Sequence, residues 1–336
     1  MHEARPDREA KLVQDDRESP SLLPASSSTS RQPTHPIFLG QDGLRPGWRI
    51  FLYLGMGIFL YLILSSLEPL ISAQGAGWLW RSMFLQAVLV LSGLLPAYVM
   101  ATIEQCPFAS YGFPLRKVGA WFGLGVLWGI LALSALMLLL WLMGVFSFGG
   151  LSLHGPRILR FALFWGVFFL LVAVFEEFAF RGYSQFTLAQ GIGFWPAACV
   201  LSLVFGGLHL WLNEGESGVG ALCAAGIGLF FCFTLRRTGS LWFALGMHAS
   251  WDWGESYFYS VPDSGGTIAG HLLNSSFHGA GWLTGGTVGP EGSVLAFVVI
   301  AASWVMFDRI YPGEKRSHGG PGASSKNASR SPRELE

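Results

Sequence analysis

The sequence predicts an all-α membrane protein: a polytopic bundle of about eight transmembrane helices between disordered polar tails. Three features predict it, namely scarce charge through the middle of the chain, apolar runs of bilayer length, and polar residues gathered at the two ends. The chain has 336 residues, 51% of them hydrophobic and only 12% charged, against about 25% charged in a typical soluble domain. Residues 1–47 hold 13 of the 42 charges and residues 312–336 hold 8, leaving 21 for the 264 residues between. A water-soluble body of that size could not cover itself with so few charges, whereas a lipid-embedded one has no need to. The mean hydropathy of +0.46 agrees. The chain therefore divides into an N-terminal tail (1–47), a membrane domain (48–311) and a C-terminal tail (312–336).

Apolar runs near the roughly 20 residues of a helical span are Trp48–Leu67, Met83–Ile103, Gly119–Met143, Ile158–Phe175, Phe194–Leu212, Gly218–Leu235, the short Ser240–Trp253, and Val294–Ile310. The fourth is expected to continue as a helix past Phe175. Backbone groups in lipid must be satisfied internally, which leaves helices or a closed barrel, and long Leu/Phe/Gly runs favour helices over short alternating strands. Basic residues orient the set. Arg45 and Arg49 precede the first span, Arg116 and Lys117 the third, Arg236 and Arg237 the seventh, and Lys315 and Arg316 follow the eighth. Alternate loops are poorer, and Gly254–Ser293 has neither Lys nor Arg, although Arg157 and Arg160 run against the trend. The positive-inside bias predicts a multi-pass protein of the cell membrane with both termini cytoplasmic.

Several classes drop out. Net charge is zero with no basic stripe, so nucleic acid has no electrostatic footprint here. The four cysteines show no CxxC spacing, which argues against a disulfide framework or a thiolate zinc site. The polar first residues, Met1 to Pro36, give no sign of a cleavable secretory signal.

Ionisable groups inside a span cost roughly 2.5–3.5 kcal/mol each on insertion scales, so they need a reason. One set stands out. Glu176, Glu177 and Arg181 close the fourth span, Phe205 and His209 lie in the fifth, and His248 and Asp252 lie in the seventh. Glu177 and Arg181 are four apart with the acid first, the better order for an ion pair on one helix face. Glu176 is rotated about 100° from Glu177, so Arg181 is expected to neutralise Glu177 and leave Glu176 free to act. Phe205 with His209, and His248 with Asp252, share faces at the same spacing. Gly191 to Gly193 and Pro196 mark a turn, and counting along both arms puts Glu176 and His209 roughly 23 Å from it, at matching depth. His248 lies roughly 12 Å in from the Arg236–Arg237 end, so with the turn projecting about 10 Å past the membrane surface the three groups are expected to converge inside the bilayer, nearer its cytoplasmic side.

A glutamate with two histidines can activate water. Glu176 could take a proton from water and hand it to a leaving amine. Glu176, His209 and His248 could hold a divalent zinc that acidifies the water, or the histidines could donate to a developing oxyanion. Neither HExxH nor a GxSxG with a convincing partner is present. Each piece also has a structural reading: Glu177–Arg181 as a bracing ion pair, each His as an interhelical hydrogen-bonding group, Asp252 as an interfacial residue. A non-catalytic scaffold or immunity-type protein is the resulting rival, and a transporter is a weaker one. His271 and His278, in the Gly-rich 254–293 loop, are read as solvated.

The three segments resemble the CPBP family of intramembrane proteases, which includes the CAAX prenyl endopeptidases and bacterial bacteriocin-processing or immunity homologues. The resemblance rests on EExxxR (Glu176, Glu177, Arg181), FxxxH (Phe205, His209) and HxxxN/D (His248, Asp252), in that order, over about residues 158–255. Phe180–Tyr183, Thr238–Trp242, Thr284–Gly286 and Gly289–Gly292 look like family context. The resemblance implies an intramembrane endopeptidase acting on a peptide or protein near the membrane surface. Glu176 would activate water together with His209, with His248 and Asp252 supporting the oxyanion or a metal. Prenyl-protease members carry Asn where this chain has Asp252, which weakens transfer of a prenylated substrate. Metal and metal-free mechanisms both stay open at this stage.

Overall fold

The computed structural model describes residues 38–40, 43–73 and 77–312. Most of both tails expected to be disordered lies outside these residues. The last part of the N-terminal tail is a short antiparallel hairpin of β1 (Leu39–Gly40) and β2 (Gly43–Leu44).

The bundle follows as α1 (Pro46–Ser65), a short α2 (Glu68–Ala73), α3 (Trp78–Ile103) and α4 (Val118–Leu142). After β3 (Phe146–Ser147) come α5 (Pro156–Glu177), a π-helical stretch Phe178–Tyr183, and α6 (Ser184–Ile192), which together form one rod. Next are α7 (Phe194–Leu212), α8 (Gly218–Thr238) and α9 (Trp242–Trp253), the last running into a π-helical turn Gly254–Tyr259. Finally β4 (Ser276–Phe277) pairs antiparallel with β3, and α10 (Gly281–Thr284) leads to α11 (Val294–Ile310). Every apolar run of the sequence is helical. Six rods are long and apolar enough to cross a membrane: Pro46–Leu70, Trp78–Ile103, Val118–Leu142, Pro156–Ile192, Phe194–Leu212 and Gly218–Thr238. The other two predicted spans are shorter helices, 12 residues in α9 and 17 in α11.

Local chemistry sets the ends. Proline opens α1 and α5, where its missing N–H is not needed. The Ser217 and Ser293 hydroxyls cap α8 and α11 by accepting from Gly220 N and Leu295 N, each at 3.1 Å. Gly239, at φ +67°, ends α8 in the left-handed conformation that glycine adopts without strain.

Successive rods alternate in direction. Loops 104–117, 191–193 and 239–241 therefore gather at the end that carries the first and last described residues, and loops 143–155, 213–217 and 260–293 gather at the other. Hydrogen bonds fasten each end: Leu241 N to Gly112 O (2.8 Å) at the first, His278 N to Val145 O (2.8 Å) and Thr287 Oγ1 to Gly215 O (2.9 Å) at the second. At the first end Glu104 is a hub. It pairs with Arg49 and accepts from Tyr111 Oη (2.8 Å) and Tyr183 Oη (2.6 Å), tying α1 and α3 to the rod two residues past Arg181.

The site helix α9 is buried through Phe243–Met247 and lies against α4. Glycines make that approach possible. A Cβ on Gly125 or Gly246 would overlap the Phe243 or Phe122 carbonyl oxygen, and one on Gly129 the Ser250 hydroxyl. Gly125 and Gly129 are a small-xxx-small pair of the kind that lets membrane helices touch, and Ser250 Oγ adds a hydrogen bond to Val126 O at 3.2 Å. Gly125→Leu should therefore push α9 outward. A loss toward or beyond the upper end of the roughly 1–3 kcal/mol typical of overpacking is expected, read as a lower Tm in detergent.

Candidate active site

α5, α7, α8 and α9 bring the predicted residues around one cavity of about 230 Å³. Its lining includes Glu176 from α5, Phe205 and His209 from α7, Phe231 from α8, and His248 with Asp252 from α9. Three chain segments separated by tens of residues thus meet.

The ion pair lies where helical spacing predicts it. Arg181 Nη1 donates to Glu177 Oε1 at 3.2 Å, and both side chains are fully buried. Glu176 is instead partly open to the cavity and lies 3.6 Å from His248 Nε2. The sequence did not foresee that Glu177 Oε1 also bonds His248 Nδ1, at 2.9 Å. Asp252 Oδ2 is 3.4 Å from His248 Nε2. Glu177 therefore holds one edge of the imidazole while Glu176 and Asp252 flank the other. Phe231 stacks on the ring, centroids 5.9 Å apart.

His209 is held differently. Its Nδ1 is 2.9 Å from Phe205 O, and a carbonyl oxygen only accepts, so Nδ1 carries the proton. In the neutral ring Nε2 is left as an acceptor. The Phe205 ring lies 4.3 Å from the His209 ring and carries the Arg181 guanidinium 4.2 Å above its centroid, a cation–π contact. Arg181 thus bridges the glutamate motif and the FxxxH motif. Gly228 on α8 makes room for it, since a Cβ there would overlap Arg181 Nη2. Nothing in the sequence pattern singled Gly228 out.

The cavity also takes in Asn213, Asp263, Ser264 and Glu291. The 254–293 loop supplies the last three. Ser256 Oγ donates to Asp263 Oδ2 (3.0 Å) and Ser264 Oγ to Glu291 Oε2 (2.9 Å). An acidic pair in a stretch free of Lys and Arg was the available signal. His271 and His278 make local bonds to Leu273 O and Ser276 Oγ, and neither lines the cavity.

Burial holds the Asp263 carboxyl well above its ordinary value of 3.8, with the Asp252 and Glu291 charges adding to the effect. A raised folded pKa contributes stability that is full below the unfolded pKa and is lost as pH climbs through the folded one. Tm should accordingly fall from pH 5 to pH 8, and Asp263→Asn should flatten that slope, a result checked by thermal unfolding at the two pH values.

The donor geometry does not fit the zinc set expected from sequence. Both His248 nitrogens face carboxylate oxygens, and Glu176, His209 and His248 do not form a group with mutually close ligand atoms among the described residues. The His/Cys/Asp/Glu group that does is Asp252, Asp263 and Glu291, with ligand atoms all within 4.8 Å of one another. Three carboxylates without nitrogen or sulfur suit hard cations such as magnesium or calcium, not zinc.

Residues 158–254 match the family model described as type II CAAX prenyl endopeptidase Rce1-like. That segment of the chain is similar to the Rce1-like family. This bears out the resemblance drawn from the three motifs, and the match covers every predicted site residue while spanning under a third of the chain. No curated protein matches the chain. Among the described residues six helices are long and apolar enough to cross a membrane, which makes this a multi-pass membrane protein, and its 158–254 segment is similar to a protease family.

Proposed function

We propose that this protein is an intramembrane endopeptidase that cuts a peptide bond with water activated by Glu176. The observation that carries the reading is the convergence of Glu176, His209, His248 and Asp252 on one cavity inside the Rce1-like core. Of the adjacent glutamates, Glu176 is the one that lines that space, while Glu177 is occupied by Arg181 and His248.

A stepwise role follows for each group. Water held between Glu176 and His209 Nε2 loses a proton to Glu176 as its oxygen attacks the carbonyl carbon. The carbonyl becomes an oxyanion, met by the Nε2–H of a doubly protonated His248 whose Nδ1–H is held by Glu177. Nε2 is only loosely engaged, because 3.4 and 3.6 Å contacts are too long for strong hydrogen bonds. Glu177 fixes the opposite edge of the ring so that the donor is aimed in advance, and Asp252 flanks it. The C–N bond then breaks as Glu176 returns its proton to the departing amine. No step requires a metal.

Membranes from cells making wild-type protein, compared with membranes carrying Glu176→Gln, should contain new peptide termini at discrete sites. Identical sets of termini would overturn the reading and favour the scaffold alternative.

A further inference from the structure

We propose that Asp252, Asp263 and Glu291 form a binding site for a hard divalent cation, calcium before magnesium, with the buried Glu255 behind them. The bound ion clamps the 260–293 loop onto the end of α9. The inference stands apart from the proposed hydrolysis, which uses no metal at any step.

The three acids come from different parts of the chain. Asp252 lies one residue before the end of α9, Asp263 in the loop that follows, and Glu291 in a short turn before α11. One carboxylate oxygen from each falls within 4.8 Å of the other two, a spacing that oxygens held about 2.3–2.6 Å from one calcium ion can share. Each acid keeps capacity to bind. Ser256 Oγ takes up one oxygen of Asp263 and Ser264 Oγ one of Glu291, and Asp252 has only its long 3.4 Å contact with His248 Nε2. The loop holds its own shape. Gly265 N donates to Val288 O at 3.0 Å, and Asp263 and Gly266 exchange both backbone hydrogen bonds, at 2.9 and 2.8 Å. The two loop ligands are therefore presented before an ion arrives, which limits the ordering cost of binding it.

Glu255 points to a ligand independently. Its side chain is fully buried, and neither of its oxygens accepts a hydrogen bond. A buried carboxylate without a partner is costly, and a proton or a cation relieves the cost. A Cβ on Gly289 would overlap Pro262 O and lie 3.1 Å from Glu255 Oε1. The carboxyl thus reaches the seam where Pro262, the neighbour of Asp263, packs on the segment leading to Glu291. Burial holds it well above its ordinary value of 4.5, and the charges of Glu291, Asp263 and Asp252 add to the effect. No Lys or Arg lines the cavity, so among the described residues only histidines offer these acids positive charge there. A divalent ion removes their mutual repulsion. Oxygen ligands without nitrogen or sulfur select a hard ion, and calcium accepts several carboxylates from a loop where magnesium keeps most of its waters.

The test uses the full chain in detergent, stripped of metal with EDTA, freed of the chelator and titrated at neutral pH with calcium chloride or magnesium chloride. Calorimetry reads the affinity and thermal unfolding reads Tm. Wild type should bind calcium saturably, with a rise in Tm, and magnesium more weakly. Asp263→Asn and Glu291→Gln should each weaken calcium binding by at least about tenfold, and Glu255→Gln by about tenfold, the lower end for a group behind the ligands. Each of these changes removes a crowded carboxyl, so the metal-free variants should fold, and one that does not leaves the other two to decide. Absence of saturable calcium binding by wild type, or wild-type affinity in Asp263→Asn and Glu291→Gln, overturns the site. Equal loss with Glu214→Gln, an exposed acid of the 213–217 loop, would mark general surface attraction and overturn it too. Wild-type affinity in Glu255→Gln overturns the part given to Glu255. Cleavage is not read, so none of these results bears on the catalytic proposal.

Discussion

Glu176→Gln should lower peptide cleavage in reconstituted vesicles by about 10²–10⁴-fold, the range for losing a general base, and leave Tm unchanged. The amide keeps the shape of the carboxylate but takes no proton from water. The folded state should tolerate it, because Glu176 is partly open to the cavity and its contact with His248 Nε2 is a long 3.6 Å. Kinetics and thermal unfolding on the same preparation decide the matter. Retained turnover would place the base elsewhere, and a large drop in Tm would recast Glu176 as a bracing residue.

The largest stability effect is expected at Arg181. It is fully buried against Glu177 and lies over the Phe205 ring. Removing one partner of a buried pair leaves an uncompensated charge, at a cost of about 3–5 kcal/mol. Arg181→Met should thus unfold at markedly lower temperature than wild type. Adding Glu177→Gln removes the stranded charge, and the double variant should recover most of the lost stability. Activity should not return with it, since the amide no longer provides the carboxylate that fixes His248 Nδ1. Recovery of both stability and turnover would show that Glu177 serves the fold only.

These two expectations differ in how far the sequence could anticipate them. The Glu177–Arg181 pair was readable because both residues sit on one rod, where a spacing of four fixes their proximity whatever surrounds them. The tie from Glu177 to His248 was not readable. It joins residues 71 apart on different helices, and no periodicity within one segment encodes how two rods rotate against each other. The zinc set was no more readable, for the same reason: sequence supplied residue types able to bind zinc, but not whether helix rotation brings their donor atoms close together. α9 makes the point at the level of the fold. It is the shortest of the expected spans, yet close packing on the α4 glycines lets it carry four of the cavity residues, His248 and Asp252 among them.

Composition and apolar run lengths by themselves determined that this chain is a helical membrane protein, and three short motifs pointed to the family whose model its core matches. Both follow from local rules, the intolerance of lipid for unpaired backbone groups and the fixed pitch of a helix. Tertiary structure alone decided that Glu177 also holds His248 and which acids of the 254–293 loop line the cavity. Those depend on the register and rotation of rods brought together by close contact between glycine-lined surfaces.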